Sequence, residues 1–460
     1  MAGAWKLISD GGSIRRRNFA YGSKRLTVAE GMATPPAAAT PTAATVTNVP
    51  PSTWWALTIL AAINLFGYMD RMALTILLEP IKAEFGASDQ QLGLLMGFAF
   101  ILFYSVLGIP LARLADRSSR VRLLSICLTL WSIMTALCGR AHNFQMLVLA
   151  RVGVGIGEAG CMPPAHSLIG DYFPREKRAL AISLLQAGAA LGGALGMGLV
   201  GYVGQEIGWR ATLQVVGLAG LPLAAIAVLT LREPTRPKLP DNAKVGETAR
   251  EAFAALLKRR AYVHLVLGYA IASICTAGES QWLPSYLRRA YGMGMAEVGG
   301  WIGLTSLFGA TGGLLTGGFL ANWLVRRDPK WELWVPTIAN AFYLPIFFLV
   351  MTSPTAGLAI AFHGLAVFLA AIAGGVGLAA VQAFAEPHRR ATAVALLLFL
   401  VSFSGLGLGS YLIGLLSDLF APQFGVESLR IAILSMSLAQ IWGTVHYYLA
   451  SRHSDADRVN

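Results

Sequence analysis

From Trp54 to Ala450 the chain is built of apolar stretches of about twenty residues, separated by short polar breaks. A helix rises ~1.5 Å per residue, so each stretch reaches across the ~30 Å hydrocarbon core of a bilayer. In hydrocarbon the backbone must satisfy its own hydrogen bonds, and for a single stretch of this length that means an α-helix. Composition agrees: 55% of the residues are hydrophobic and 13% charged, against about 25% charged in ordinary soluble domains. A single soluble domain is excluded.

The stretches fall at about 54–78, 90–112, 121–139, 144–168, 179–203, 211–231, 262–287, 295–324, 332–351, 355–384, 391–416 and 429–450. The expected fold is therefore an all-α membrane protein of twelve transmembrane helices. The net charge of +12 resolves into topology: 28 of the 36 Lys and Arg lie in or beside the termini and the even-numbered connections, and six lie in the odd ones. That asymmetry places both termini in the cytoplasm and leaves no basic surface for nucleic acid.

Residues 1–52 are polar and then Ala/Pro/Thr-rich, a composition that forms no packed core, and are expected to be a disordered cytoplasmic tail. Arg16-Arg17 lacks the apolar run of an export signal, and Met32 is an alternative start. A first bundle of six helices is expected over 53–231. A linker follows over 232–261, with an amphipathic helix within Glu251–Arg260, then a second bundle over 262–450 and a short tail over 451–460.

The two halves repeat. Pro174-Arg-Glu-Lys-Arg178-Ala after stretch four returns as Pro387-His-Arg-Arg390-Ala after stretch ten. Gly108-Ile-Pro-Leu-Ala-Arg-Leu-Ala-Asp116-Arg117-Ser-Ser-Arg120 after stretch two has a counterpart in Gly318-Phe-Leu-Ala-Asn322-Trp-Leu-Val-Arg326-Arg327 after stretch eight. Glycines four residues apart, among them Gly93 and Gly97, Gly188, Gly192 and Gly196, Gly309, Gly313 and Gly317, and Gly405 and Gly409, provide small faces for close helix packing. Parallel halves of this kind point to a transporter with its site between them.

These features resemble the major facilitator superfamily. The segment Gly108 to Arg120 is similar to its signature between helices two and three, with Ala112 and Ser119 where the family usually has glycine. Arg151-Val-Gly-Val-Gly155-Ile-Gly157 is similar to its second signature. Asn64-Leu-Phe-Gly-Tyr68-Met-Asp70-Arg71 together with Gly155-Ile-Gly-Glu158-Ala159 resembles the Spinster branch. The resemblance implies two pseudo-symmetric six-helix bundles, alternating access, and amphipathic substrates such as lysolipids or sphingoid phosphates. It also implies a cytoplasmic latch between the halves, built on Gly108, Asp116, Arg117 and Arg120.

Asp70, Arg71, Arg151, Glu158 and Glu279 lie inside apolar stretches, where each costs about 2.5–3.5 kcal/mol if it faces lipid. They are expected to face a cavity or each other. Asp70 and Arg151 fall at matched depths in the outer half of the membrane, and Glu158 lies two turns beyond Arg151 on the same face. Asp70 and Glu158 are the candidate proton carriers. Arg71 and Arg151, with Asn64 and Tyr68 on the stripe of Arg71, are candidates to bind an anionic head group or to form ion pairs, and so is Glu279 by pseudo-symmetry with Asp70. His363 is expected to be a satisfied polar side chain.

Gly155-Ile-Gly157-Glu-Ala-Gly160 matches a dinucleotide-binding pattern, but no strand precedes it. Cys127, Cys138, Cys161 and Cys275 lack metal-ligand spacing. No catalytic constellation, metal site or cofactor is expected, and a proton gradient is the expected driving force. The expected partners are an amphipathic substrate and membrane lipid. The chain is expected to act as a monomer in a bacterial inner membrane. An exporter of drugs or organic anions, and a non-transporting receptor of the same fold, remain alternative readings of these residues.

Overall fold

The computed structural model describes residues 49–235, 249–386 and 388–457, and every regular element among them is a helix. Among the described residues ten helical runs are long and apolar enough to cross a bilayer. The first four are α1 (Pro51–Ile76), α2 (Asp89–Arg117), α3 (Arg120–Cys138) and α4 (Phe144–Tyr172). The fifth, Arg175–Thr230, has 56 residues, more than twice what a crossing needs. It folds back at Gly208, whose φ of 78° is open to glycine at no steric cost, and its rods are α5 (175–207) and α6 (209–230). Next come α7 (Arg260–Tyr291), α8 (Met295–Val325), α9 (Trp331–Thr352) and α10 (Ala356–Ala383). The last run, Thr392–Ser454, has 63 residues and turns at Gly425, where φ is 52°; the rods on either side of the turn, followed to their full helical length, are α11 (390–424) and α12 (428–457).

Most of the expected tail over 1–52 lies outside the described residues, with Met32 among them, as does 236–248 of the linker. The amphipathic segment of the linker forms the helix Ala249–Leu257. The last helix extends past residue 450 to Asp457. The Asp457 carboxylate accepts the amide of Ala261 at 2.7 Å, which satisfies a free N–H at the start of α7 and ties the end of the bundle to its beginning.

The glycine faces are used as backbone-to-backbone seams. On α5, Gly188 and Gly192 lie against the carbonyls of Ala61 and Leu65 on α1, and Gly196 lies against Met69. The repeat-related seam sets Gly405 and Gly409 of α11 against Ser273 and Ile274 of α7. On α8, Gly309 and Gly313 meet the carbonyls of Gly364 and Phe368 on α10, as Gly155 of α4 meets that of Phe100 on α2.

The joins between the halves cluster at one end of the bundle. Gly201 and Gly299 bring α5 and α8 together there, and Gly93, Gly97 and Gly414 bring α2 and α11 together. Thr75 donates to Gln281 at 2.9 Å, and Arg289 reaches Glu79 and Asp89 across the same boundary. We call this the closed end. Towards the other end α2 leaves Val106 and Ile109 59% and 65% exposed.

Gly192 and its neighbour Gly193 provide a matched test of the seam. A side chain on Gly192 would overlap the Leu65 carbonyl, whereas Gly193 faces open space. Gly192→Leu is expected to lower the thermal unfolding midpoint in detergent sharply, at a cost of about 3 kcal/mol or more for overpacking, and Gly193→Leu to leave it within a degree or two. Equal midpoints would show that the seam does not support the fold.

Candidate functional site

Two oppositely charged pairs cross between α1 and α4. Asp70 and Arg71 are consecutive, so their side chains leave α1 about 100° apart, and each finds a different partner on the same neighbouring helix. Asp70 Oδ2 accepts from Arg151 Nη1 at 2.9 Å, and its Oδ1 accepts from the Thr135 hydroxyl of α3 at 2.6 Å. Arg71 Nε donates to Glu158 Oε2 at 2.6 Å. The four side chains sum to zero charge. Three are almost fully enclosed, and Arg71, at 17%, is the most accessible.

Aromatic rings of α2 join the pairs. The Phe100 ring lies under both guanidinium groups, 5.0 Å from Arg71 Cζ and 4.8 Å from Arg151 Cζ. Tyr104 stacks on Phe100 with centroids 5.4 Å apart and lies 4.8 Å from Arg71 Cζ; Tyr68 approaches the same group at 5.1 Å. A desolvated contact of a cation with a ring face is worth roughly 0.5–2 kcal/mol. The close seam at Gly155, one turn beyond Arg151, lets Phe100 reach between the arginines. Gly157 likewise lies against Trp131 of α3.

α4 bends at the site. Its helix is interrupted around Gly160, and Pro163 and Pro164 lack the amide hydrogens that would continue the ladder back through this turn. Glu158 therefore sits just ahead of a kink. Its Oε1 has no hydrogen-bond partner, nor does Arg151 Nε, so each pair keeps one unused buried valence. Asp70 has both oxygens engaged.

The remaining candidate residues are placed elsewhere. Asn64 donates to the Leu185 carbonyl at 2.8 Å and to Gln186 at 3.4 Å, so it faces α5, while Arg71 reaches Glu158 of α4 and Tyr68 lies beside Arg71. In this state the Asn64 amide is engaged with α5. Glu279 accepts from the Tyr343 hydroxyl of α9 at 2.5 Å, and its other oxygen has no partner; no described contact joins it to the four charges. His363 is buried with Nε2 unpartnered, which corrects the expectation of a satisfied side chain.

In the C-terminal part of α2, Gly108 faces open space and Asp116 and Arg117 are exposed. Arg120 is buried and bonds to Asp171 at 2.6 Å, Ser167 at 2.8 Å and Glu233 at 2.9 Å. Ser167 and Asp171 belong to α4 and Glu233 to the start of the linker just after α6, so in this state Arg120 ties α3, α4 and the linker together and makes none of these bonds to the second half. The four cysteines are buried and unpaired. Among the described residues no group of His, Cys, Asp and Glu is arranged to hold a metal.

Thr135, Phe100 and Tyr104 carry no charge and no motif that would have singled them out. The polar cluster at the closed end also escaped the sequence reading, although Arg288-Arg289 stands out there as a basic pair in an odd-numbered connection.

Residues 60–410 match the model of the Major Facilitator Superfamily. The chain is 33% identical to an MFS-type efflux pump of Mycolicibacterium smegmatis, over 89% of this chain and 95% of that protein. It is 27% identical to the sphingosine-1-phosphate transporter SPNS2 of Danio rerio, over 87% and 86%. Its fold is similar to the crystal structure of a bacterial homologue of the human lysosomal transporter Spinster in an inward-facing, unoccupied conformation, with a TM-score of 0.82, 30% identity, and coverage of 90% of this chain and 100% of that one.

Removing one partner of a buried pair strands the other charge at a cost of about 3–5 kcal/mol. Arg151→Ala is therefore expected to lower the unfolding midpoint strongly, and Asp70→Asn with Arg151→Gln to recover most of the loss, read by intrinsic tryptophan fluorescence during thermal unfolding. A double variant no better than Arg151→Ala would mean that the pair is not a closed unit.

Proposed function

The chain belongs to the Major Facilitator Superfamily, in its Spinster branch, and from that premise we propose that it moves an amphipathic, anionic, lipid-like molecule across the membrane, coupled to protons. It is a multi-pass integral membrane transporter, not an enzyme. The proposed substrates are of the lysolipid or sphingoid-phosphate class, and the proton gradient is the only driving agent needed. The distribution of Lys and Arg supports an orientation with the closed end outside the cell, and in that orientation this state opens towards the cytoplasm. Similarity to the inward-facing Spinster homologue supports the same orientation.

The observation that carries the reading is the Arg71–Glu158 pair at 2.6 Å, with Arg71 the most accessible of the four charges. An incoming phosphate or carboxylate competes with Glu158 for Arg71. If Glu158 then takes a proton, the site holds Asp70 and the substrate anion against Arg151 and Arg71, and its net charge stays at zero. Leaving Glu158 ionised beside the anion would bury an uncompensated negative charge. Charge balance thus links one proton to one anionic charge. Glu158 is the better carrier because its Oε1 is unused, whereas both oxygens of Asp70 are bonded. The aromatic rings around Arg71 provide an apolar wall for the part of the substrate next to its head group.

Purified protein in liposomes, given a fluorescent lysophospholipid and an imposed pH gradient, tests this. Wild type is expected to show gradient-dependent flux. Glu158→Gln is expected to lose the response to the gradient while still exchanging lipid across the bilayer. Arg71→Gln is expected to weaken binding of anionic lysolipid at least tenfold, the loss of one charge-assisted hydrogen bond, with little effect on an uncharged monoacylglycerol. Full gradient response in Glu158→Gln would remove this residue from coupling, and its loss in Asp70→Asn alone would move the proton there. The relative in Mycolicibacterium smegmatis favours a second reading, export of amphiphilic drugs; a drug panel transported in preference to lysolipids would select it.

A further inference from the structure

At the closed end, two helices begin against side chains from the opposite half. The first two amides of α2, Asp89 N and Gln90 N, donate to the Asp418 carboxylate of α11 at 3.0 and 2.8 Å. The amide of Ala296, in the first turn of α8, donates to Gln205 Oε1 of α5 at 3.1 Å. In the order of the internal repeat, α2 corresponds to α8 and α5 to α11. The two contacts are therefore one arrangement used twice: the far end of one helix caps the start of a helix in the other half.

We propose that Asp418 and Gln205 close a pair of repeat-related helix-cap clasps, and that these clasps set how readily this end of the protein opens. The first four amides of a helix have no partner within it, and the helix dipole makes its start electropositive. In α2, Ser88 caps the amide of Gln91, and Asp418 takes the two that remain before it. Parting of the halves removes Asp418 and Gln205 from these amides, so opening breaks both clasps at once.

Local packing is fitted to each clasp. Gly414, one turn before Asp418, lies against the Asp89 carbonyl, which brings the carboxylate within reach of α2. At the second clasp, a Cβ on Gly294 would stand 2.8 Å from Gln205 Oε1, so the glycine leaves room for the amide group.

The clasps differ in strength. Around Asp418, Ser417 donates to Asp89 at 2.7 Å, Gln90 donates to Tyr411 at 2.5 Å, and Arg289 bonds Asp89 at 2.7 and 2.8 Å while also reaching Glu79. Lys82 completes the cluster with a bond to Asp89 at 2.5 Å. Gln205 offers a single neutral acceptor. The charged clasp therefore dominates, with the neutral one as its weaker counterpart. The inference takes only its sidedness from the proposed function; the clasps themselves rest on these contacts.

Spin labels on cysteines introduced at Tyr202 and Val426, 59% and 87% exposed on opposite halves, report the width of this end by pulsed electron resonance in liposomes without substrate or pH gradient. Asp418→Ala is expected to raise the open-to-closed ratio about tenfold, Gln205→Ala about threefold, and the double variant by about the product, as for independent cap contacts. Asp418→Asn keeps one acceptor oxygen and is expected to fall between wild type and Asp418→Ala, so it carries the test if the alanine variant does not fold. Unchanged distances in a folded double variant, or a shift towards the closed form, would overturn the proposal. A shift as expected in a protein that shows no lipid flux would leave the clasps standing and defeat only the transport reading.

Discussion

Ionised groups inside a lipid-embedded bundle persist only where opposite charges meet, and in this protein that requirement organises the centre of the first half. Asp70 and Arg71 leave α1 in different directions, and both find counter-charges on α4. The α1–α4 spacing, the approach of α2 at Gly155 and the placement of Phe100 between two guanidinium groups all serve this neutral four-charge unit. Because the unit is balanced, any one charge is released only when another charge or a proton takes its place. The same constraint that makes the site stable makes it suited to coupling.

Two sorts of contact hold the rods together, and they divide by location. Within each half, seams such as α1 on α5 and α7 on α11 are backbone against backbone, with glycines removing the side chains that would intervene. Such seams have one close-packed arrangement and do not slide without opening voids. Across the halves, glycine contacts recur at the closed end but are joined by hydrogen bonds and ion pairs. Polar groups there can exchange a protein partner for water when they separate, and this suits a boundary that opens and closes.

Much of the site was legible in the sequence because depth along a helix follows directly from residue count. The matched depths of Asp70 and Arg151, and the two-turn spacing to Glu158, needed only the rise per residue. Direction around the helix axis was less accessible. Asn64 shares a stripe with Tyr68 and Arg71 yet bonds to α5, because a stripe of that width touches two neighbours. Glu279 matches the depth of Asp70, but its partner is a tyrosine of α9. Pseudo-symmetry relates backbones, and it does not oblige side chains on the two halves to meet equivalent partners.

The sequence by itself determined that the chain is a bundle of membrane-spanning helices, that it is built as two repeated halves, and that it carries a few charges obliged to find one another. Hydrophobic length, Lys and Arg asymmetry and the cost of charge in hydrocarbon are properties of composition and spacing, and they hold whatever the packing. The tertiary structure alone decided that Asp70 pairs with Arg151 and Arg71 with Glu158, that an uncharged Phe100 lies between them, and that Asp418 and Gln205 cap helices of the opposite half. These are contacts between residues distant in the chain. Their geometry depends on how each rod is rotated and how closely glycines let it approach its neighbours, and neither is encoded in the periodicity of a single helix.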